Sequence, residues 1–166
     1  MYYTVREAKS GDIKGLVKLI RVAHAEHGAE IATFDPDVTR NTFQRLINQT
    51  GGAVYALVND DYRIVGCLAL VVNQIWFSRT KEVVDMVFYV EPEARGYGNR
   101  LLMAGTGWAK SLPGVSLITM GVTTGIDSDE RLGRLYAHTG FKRVGSYYTY
   151  EFDKVLRPGD QEKRAA

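Results

Sequence analysis

Two groups of residues have types and spacing that can do chemistry. The first is Glu91-Pro92-Glu93-Ala94-Arg95-Gly96-Tyr97-Gly98-Asn99-Arg100-Leu101-Leu102, which follows an apolar run and leads into a segment of helical composition. Strand, glycine-bearing turn and helix make a pocket for an anion. Gly96 and Gly98 let backbone approach a ligand closely and can adopt positive φ. The first helical amides lack internal partners, and the helix dipole favours negative charge there. Arg95 and Arg100 add positive charge. The second group is a pair of carboxylates on the preceding run. Asp85 stands inside Val83–Val90, two turns of the pleat before Tyr89. A carboxylate there is costly unless it is paired or opens onto a cleft, and desolvation raises its pKa towards that of a useful base. Glu82, at the start of the run, is the rival base. The plainer readings are an Asp85 tied to backbone amides or an arginine, and a Glu82 solvated at a strand end.

The elements that must position these groups follow from pattern. Tyr2–Arg6 alternates and is rich in β-formers. Ser10 is a candidate N-cap with Asp12 in the first turn, and the apolar spacing from Ile13 predicts a helix to His27, with Gly28 as its C-cap. Asp35-Pro36 opens a second helix, which Gly51-Gly52 ends. Ala53–Val58 and Arg63–Val72 read as strands joined across Asn59-Asp60-Asp61-Tyr62. Asn73–Thr80 reads as a loop carrying Trp76 and Phe77. Val83–Val90 is apolar at both parities, as in a central strand covered on both faces. A helix then runs to Pro113-Gly114, a strand over Val115–Val122, and a helix from Ser128 or Asp129 to Gly140. Phe141–Val144 and Tyr147–Phe152 complete the chain as an antiparallel pair or one bent ribbon. The order β-α-α-β-β-β-α-β-α-β-β predicts an α/β (α+β) sandwich with a mixed sheet.

Composition narrows the class. The 166 residues are 45% hydrophobic with a net charge of +2, which suits one substantial core and gives no concentrated basic character for nucleic-acid binding. The single cysteine, Cys67, excludes an intrachain disulfide and reads as a small buried hydrophobe. No apolar segment suggests a leader or a membrane span, so a soluble, cytoplasmic protein is expected. One domain is expected over residues 2–153, with a polar, disordered tail over 157–166. His24 and His27 with Glu26 and Glu30 offer no third and fourth ligand, so no metal is expected.

Three features coincide further along the chain: the strand ending Val90-Glu91-Pro92, the turn Arg95-Gly96-Tyr97-Gly98-Asn99-Arg100, and Leu135-Tyr136-Ala137-His138-Thr139-Gly140-Phe141 at a helix-to-strand junction. Together with the element order they resemble the GNAT superfamily of acyl-CoA-dependent N-acyltransferases. Its pattern is V-x-P-x-x-R-G-x-G followed by N-x-x-A-x-x-x-Y-x-x-x-G-F. The resemblance implies a mixed, mostly antiparallel sheet of roughly six or seven strands flanked by about four helices. Glu93 departs from the pattern, standing where the family usually has Gln or Arg. A carboxylate there cannot donate to phosphate and repels it unless turned away. Asp129 stands where Asn is common, and Leu132 where Ala is.

The resemblance also implies roles. The cofactor would be acetyl-CoA, its pyrophosphate cradled by the amides of Gly96, Tyr97, Gly98, Asn99 and Arg100, beside Arg95, with Asp129 near. The backbone of Phe88, Tyr89 and Val90 would pair with the pantetheine arm as an extra strand would. Tyr136 would protonate the departing thiolate; its plainer reading is a core aromatic with a bonded hydroxyl. Asp85 or Glu82, directly or through water, would take the proton of a primary amine. Glu26, His27, Glu30 and Phe34 would wall the acceptor pocket and suit a cationic amine. Trp76 would be an acceptor wall or an oligomer contact, and Tyr148 could line the pocket. The expected partner is a small-molecule or peptide amine, with neither nucleic acid nor membrane, and a homodimer is compatible with the family. The alternatives are a catalytically degenerate module that binds coenzyme A or a protein partner, and an unrelated α/β nucleotide-binding domain.

Overall fold

The computed structural model describes residues 2–27, 32–122 and 128–145. The chain runs β1 (Tyr3–Glu7), a 3-10 turn, α1 (Ile13–His27), α2 (Pro36–Asn48), β2 (Gly52–Asn59), β3 (Ile64–Gln74) and β4 (Lys81–Val90). A second 3-10 turn (Pro92–Tyr97), α3 (Gly98–Ser111), β5 (Val115–Thr119) and α4 (Ser128–His138) follow.

The strands lie in the order β1-β2-β3-β4-β5, with every neighbouring pair antiparallel except the parallel β4 and β5. A parallel pair needs a crossover, and α3 supplies it. Among the described residues the sheet therefore has five strands, and the wider sheet implied by the resemblance is not formed within them. Phe141–Val144, expected as a strand, pairs with no strand among the described residues, and all but Phe141 are exposed. Tyr147–Phe152 and the polar tail lie outside the described residues.

Local chemistry explains most boundaries. Asp35 caps α2 by accepting from the amides of Asp37 and Val38, and Pro36 occupies the first helical position. Asn59 closes the β2–β3 hairpin by accepting from the amides of Asp61 and Arg63 with its side chain. Gly140 ends α4 with φ 92°, where the amides of Gly140 and Phe141 reach back to the carbonyls of Ala137 and Tyr136. The start of α1 differs from expectation. Ser10 does not cap it; Ser10–Asp12 form the first 3-10 turn, and Asp12 accepts from the Lys9 amide and from both terminal nitrogens of Arg6.

The sheet is covered on both faces. Leu16, Leu19, Phe43 and Leu46 of α1 and α2 pack on Val54, Ala56, Cys67 and Ala69. Leu101 and Leu102 of α3 and Tyr136 of α4 pack on Leu57, Val65, Leu68, Leu70 and Val83. Burial pushes the Cys67 thiol up to about 12, so it behaves as the small hydrophobe expected. No helix among the described residues is long and apolar enough to cross a membrane.

One irregularity in β4 governs the site. Leu70 pairs with Asp85 but the next residue back, Ala69, pairs with Val87, so Met86 is an extra residue in the ladder. A bulge of this kind reverses the facing of everything beyond it. Val83 belongs to the α3 and α4 face, whereas Val87 and Tyr89 belong to the α1 and α2 face. Asp85 and Tyr89 therefore do not share a face, contrary to simple alternation. Asp85 shares one with Phe88 instead.

Candidate active site

β4 and β5 pair only from Lys81–Val115 to Val84–Thr119. Beyond that point no β5 residue pairs with β4, and one side of the β4 backbone is left without a strand among the described residues. Asp85 stands where the strands part. Its carboxylate accepts from the Gly121 amide at 2.8 Å. Tyr136, reaching over from α4, donates its hydroxyl to the Gly121 carbonyl at 3.2 Å. The two candidate catalytic side chains thus grip opposite ends of one residue. Burial raises the Asp85 carboxyl above the usual carboxylate range, opposed in part by the Gly121 N–H. Burial, reinforced by the Asp85 charge, pushes the Tyr136 phenol up, so its hydroxyl holds a proton at neutral pH. Phe88 stacks on Tyr136 at 6.3 Å and Phe141 packs against it at 5.5 Å, which fixes the ring over the gap.

The rival carboxylate is elsewhere. Glu82 precedes the bulge by an even count from Val84, whose ladder partner Val71 packs on the α1 and α2 face. It accepts from the Thr119 hydroxyl at 3.4 Å and lies on the face away from Tyr136. There it helps line an open cavity of about 540 Å³ with Asn73, Gln74, Ile75, Trp76 and Phe77. Trp76 is 91% exposed and Phe77 73%, stacked edge to face with each other at the hairpin tip.

The glycine turn takes a different form from the one expected. Neither Gly96 nor Gly98 has positive φ; α3 begins at Gly98 itself, with φ −59°. What Gly98 supplies is clearance, because a Cβ there would sit 3.2 Å from Phe88 Cζ. Gly96 faces open space, with nothing within 4 Å of a Cβ built on it. No side chain caps the N-terminus of α3, and no acidic residue lies in its first turn. That combination, an uncapped helix start behind an open glycine beside a strand edge, fits the pyrophosphate and extended arm of an acyl-CoA.

The two arginines of the turn are engaged in other contacts. Arg95 pairs with Glu26 of α1 at 3.3 Å. Arg100 donates to the Tyr3 carbonyl at 2.8 Å and stacks on Tyr97, which in turn packs on Tyr3. Their side chains brace the turn against α1 and β1. Glu93 is ion-paired. Arg63, on the β2–β3 hairpin, forks to Glu91 and Glu93 at 2.6 Å each.

The structure brings Asp85, Phe88, Tyr136 and Gly98 together and spreads the acceptor candidates. Glu26 reaches the turn through Arg95. Its carboxylate, after burial, is the main influence raising the Tyr89 phenol. Phe34 packs against His24 and beneath the Arg21 guanidinium. The side chains of His27 and Asp129, and the whole of Glu30 and Tyr148, lie outside the described residues. Among the described residues no cluster of three or more His, Cys, Asp or Glu could hold a metal ion. Sequence reasoning missed Gly121 and Arg63. Gly121 carries no signal beyond its place after an apolar strand. Arg63 had one: it is the hairpin cation whose strand returns beside Glu91.

The chain belongs to the acetyltransferase (GNAT) family, whose model matches residues 16–141. GNAT enzymes use acetyl-CoA, and the chain is an acetyltransferase of that family. No curated protein matches it in sequence. Among solved structures it is similar to AAC(6')-Iy in complex with the bisubstrate analog CoA-S-monomethyl-acetylneamine, with a TM-score of 0.72, 11% identity, and coverage of 92% of this chain and 99% of that one. An aminoglycoside acetyltransferase, meta-AAC0020, from an uncultured soil metagenomic sample in complex with sisomicin gives 0.67 and 20%, over 91% and 97% of the two chains. A transcriptional regulator from Bacillus halodurans C-125 gives 0.72 and 20%, over 91% and 100%. At these identities the likeness is one of fold.

Proposed function

We propose that the protein is an N-acetyltransferase that passes an acetyl group from acetyl-CoA directly to a primary amine, with both bound at once. The observation that carries this reading is the convergence of Asp85 and Tyr136 on Gly121 at the parting of β4 and β5. Acetyl-CoA supplies the reactive thioester. The amides at the start of α3 hold its pyrophosphate, and the free side of β4 over Phe88, Tyr89 and Val90 aligns its arm. Asp85, with its raised pKa, takes a proton from the incoming ammonium directly or through one water. Tyr136 keeps its proton at neutral pH and gives it to the leaving sulfur. The face opposite Tyr136 offers Glu82 and the exposed Trp76 and Phe77, chemistry that suits a cationic amine. Several structural neighbours are aminoglycoside acetyltransferases, so aminoglycosides belong in an acceptor screen. Trp76 and Phe77 are equally placed to meet a second copy of the chain, and sedimentation with and without acceptor separates the two.

The first test is a thermal shift with acetyl-CoA; an unchanged melting temperature at saturating acetyl-CoA would sink the reading. The second is thiol release across a panel of polyamines, aminoglycosides, amino acids and peptides. Tyr136→Phe should lower kcat by roughly tenfold to a hundredfold. Unchanged turnover would remove it as the acid. One observation favours a second reading. Both catalytic candidates are already bonded to a peptide group, as structural clamps would be. A module that only binds coenzyme A would then bind acetyl-CoA and release no thiol with any acceptor.

A further inference from the structure

Glu91 and Glu93 put two carboxylates at the start of the turn that leads into α3, the place where a polyanion would be received. Glu91 is largely buried, its side chain 10% exposed, and burial raises its pKa although Arg63 opposes this. Glu93 is 49% exposed and occupies the position that departs from the family pattern. Arg63 contacts both, one terminal nitrogen to each carboxylate at 2.6 Å, from a hairpin 28 and 30 residues away in sequence. A guanidinium is suited to this because its planar fork reaches two acceptors at fixed geometry.

Arg63 itself is half exposed, and ion pairs of that kind add little to stability. Their effect on a bound polyanion is another matter. Unpaired, the two carboxylates would repel a pyrophosphate at the α3 start. Paired, they are neutralised in part, and Glu93 is drawn towards the β2–β3 hairpin. We propose that Arg63 is a positioning residue for coenzyme A affinity: by holding Glu91 and Glu93 it keeps the anion site of α3 receptive without touching the ligand. This rests on the acetyl-CoA reading above and assigns to the hairpin a part in it that the turn motif does not encode.

The test compares acetyl-CoA binding by calorimetry, and the split between KM and kcat, in the intact chain and three variants. Arg63→Ala should weaken acetyl-CoA binding by about tenfold at low salt, and by less at high salt, with kcat nearly unchanged. Glu93→Gln in the Arg63→Ala background should recover most of the loss by removing the exposed unpaired charge. A merely structural Arg63 would not be rescued, since no ion pair is restored. Glu93→Gln alone, at a half-exposed position that does not threaten folding, should bind acetyl-CoA at least as tightly as the unmodified protein. Equal affinity of Arg63→Ala and the parent, or a double variant no better than Arg63→Ala, overturns the inference. A parent that binds no acetyl-CoA overturns instead the functional reading on which it rests.

Discussion

The two halves of β4 share one strand and behave differently. From Lys81 to Val84 the backbone is paired on both sides, to β3 and to β5, and Val83 is fully buried between them. From Val87 to Val90 it is paired, among the described residues, to β3 alone, and Met86, the extra residue at the bulge, is 49% exposed. Asp85 is the hinge between the halves. The first half is built as a core strand. Among the described residues no strand pairs with the other side of the second half, a liability in an ordinary sheet and an opportunity for a ligand that can complete the ladder. The parting of β4 and β5 coincides with the bulge at Met86 and with the end of β5 at Thr119.

The largest way to break this contrast is deletion of Met86. Removing the extra residue closes the ladder to a regular one, with Ala69 opposite Val87 directly after Leu70 opposite Asp85, so Val87–Val90 keep their faces and only the bulge is lost. The expected outcome is a cooperative thermal transition with activity lost; a variant that turns over like the parent would discard the bulge as the organising feature. Asp85→Asn comes next. The amide oxygen can still accept from Gly121, so the fold should persist while turnover falls roughly a hundredfold or more. In the parent, kcat/KM should rise with pH through a pKa above the usual aspartate range, and this limb should vanish in the variant.

Stability gives an independent sign for the same residue. The folded-state pKa of Asp85 is raised above its unfolded value. The native state therefore binds the proton more tightly, and stability falls as pH rises through the folded pKa. Asp85→Asn should thus melt no lower than the parent at neutral pH, and any advantage should shrink as pH falls through that pKa. Thermal melts at a series of pH values check this.

Smaller effects sharpen the comparison. Val83→Ala in the doubly paired half should cost about 2 kcal/mol by denaturant titration. Met86→Ala in the free half should stay within about 0.5 kcal/mol, because the residue lies half in solvent. Equal costs would mean that the two halves are packed alike.

Much of this was legible in the sequence. Periodicity and turn chemistry gave the order of elements from β1 to α4, and Asp35, Asn59 and Gly140 acted locally as their types require. Asp85 stood out because a charge inside an apolar run needs a reason, and Tyr136 because of the motif around it. The rest depended on contacts distant in sequence. A bulge has no residue signature here, so alternation placed Asp85 with Tyr89 instead of Phe88. Gly98 reads in the sequence as a site of close ligand approach and free φ, whereas its φ is negative and its missing Cβ makes room for Phe88. Arg95 and Arg100 were read as free charges at the turn, since nothing local marks Glu26 and the Tyr3 carbonyl as their partners. The Arg63 fork compensates a departure that looked, within the motif alone, like a defect.

The double grip on Gly121 has a spectroscopic consequence. Its amide proton is held by a titrating carboxylate and its carbonyl by a phenol, so its nuclear resonance should report the protonation of Asp85 and disturbance of the Tyr136 contact in one signal. Its exchange with deuterated solvent should be slow for a residue just past a strand end, and should change when a ligand enters the gap. A single glycine amide would then serve as a built-in indicator of occupancy, readable without any acceptor being known.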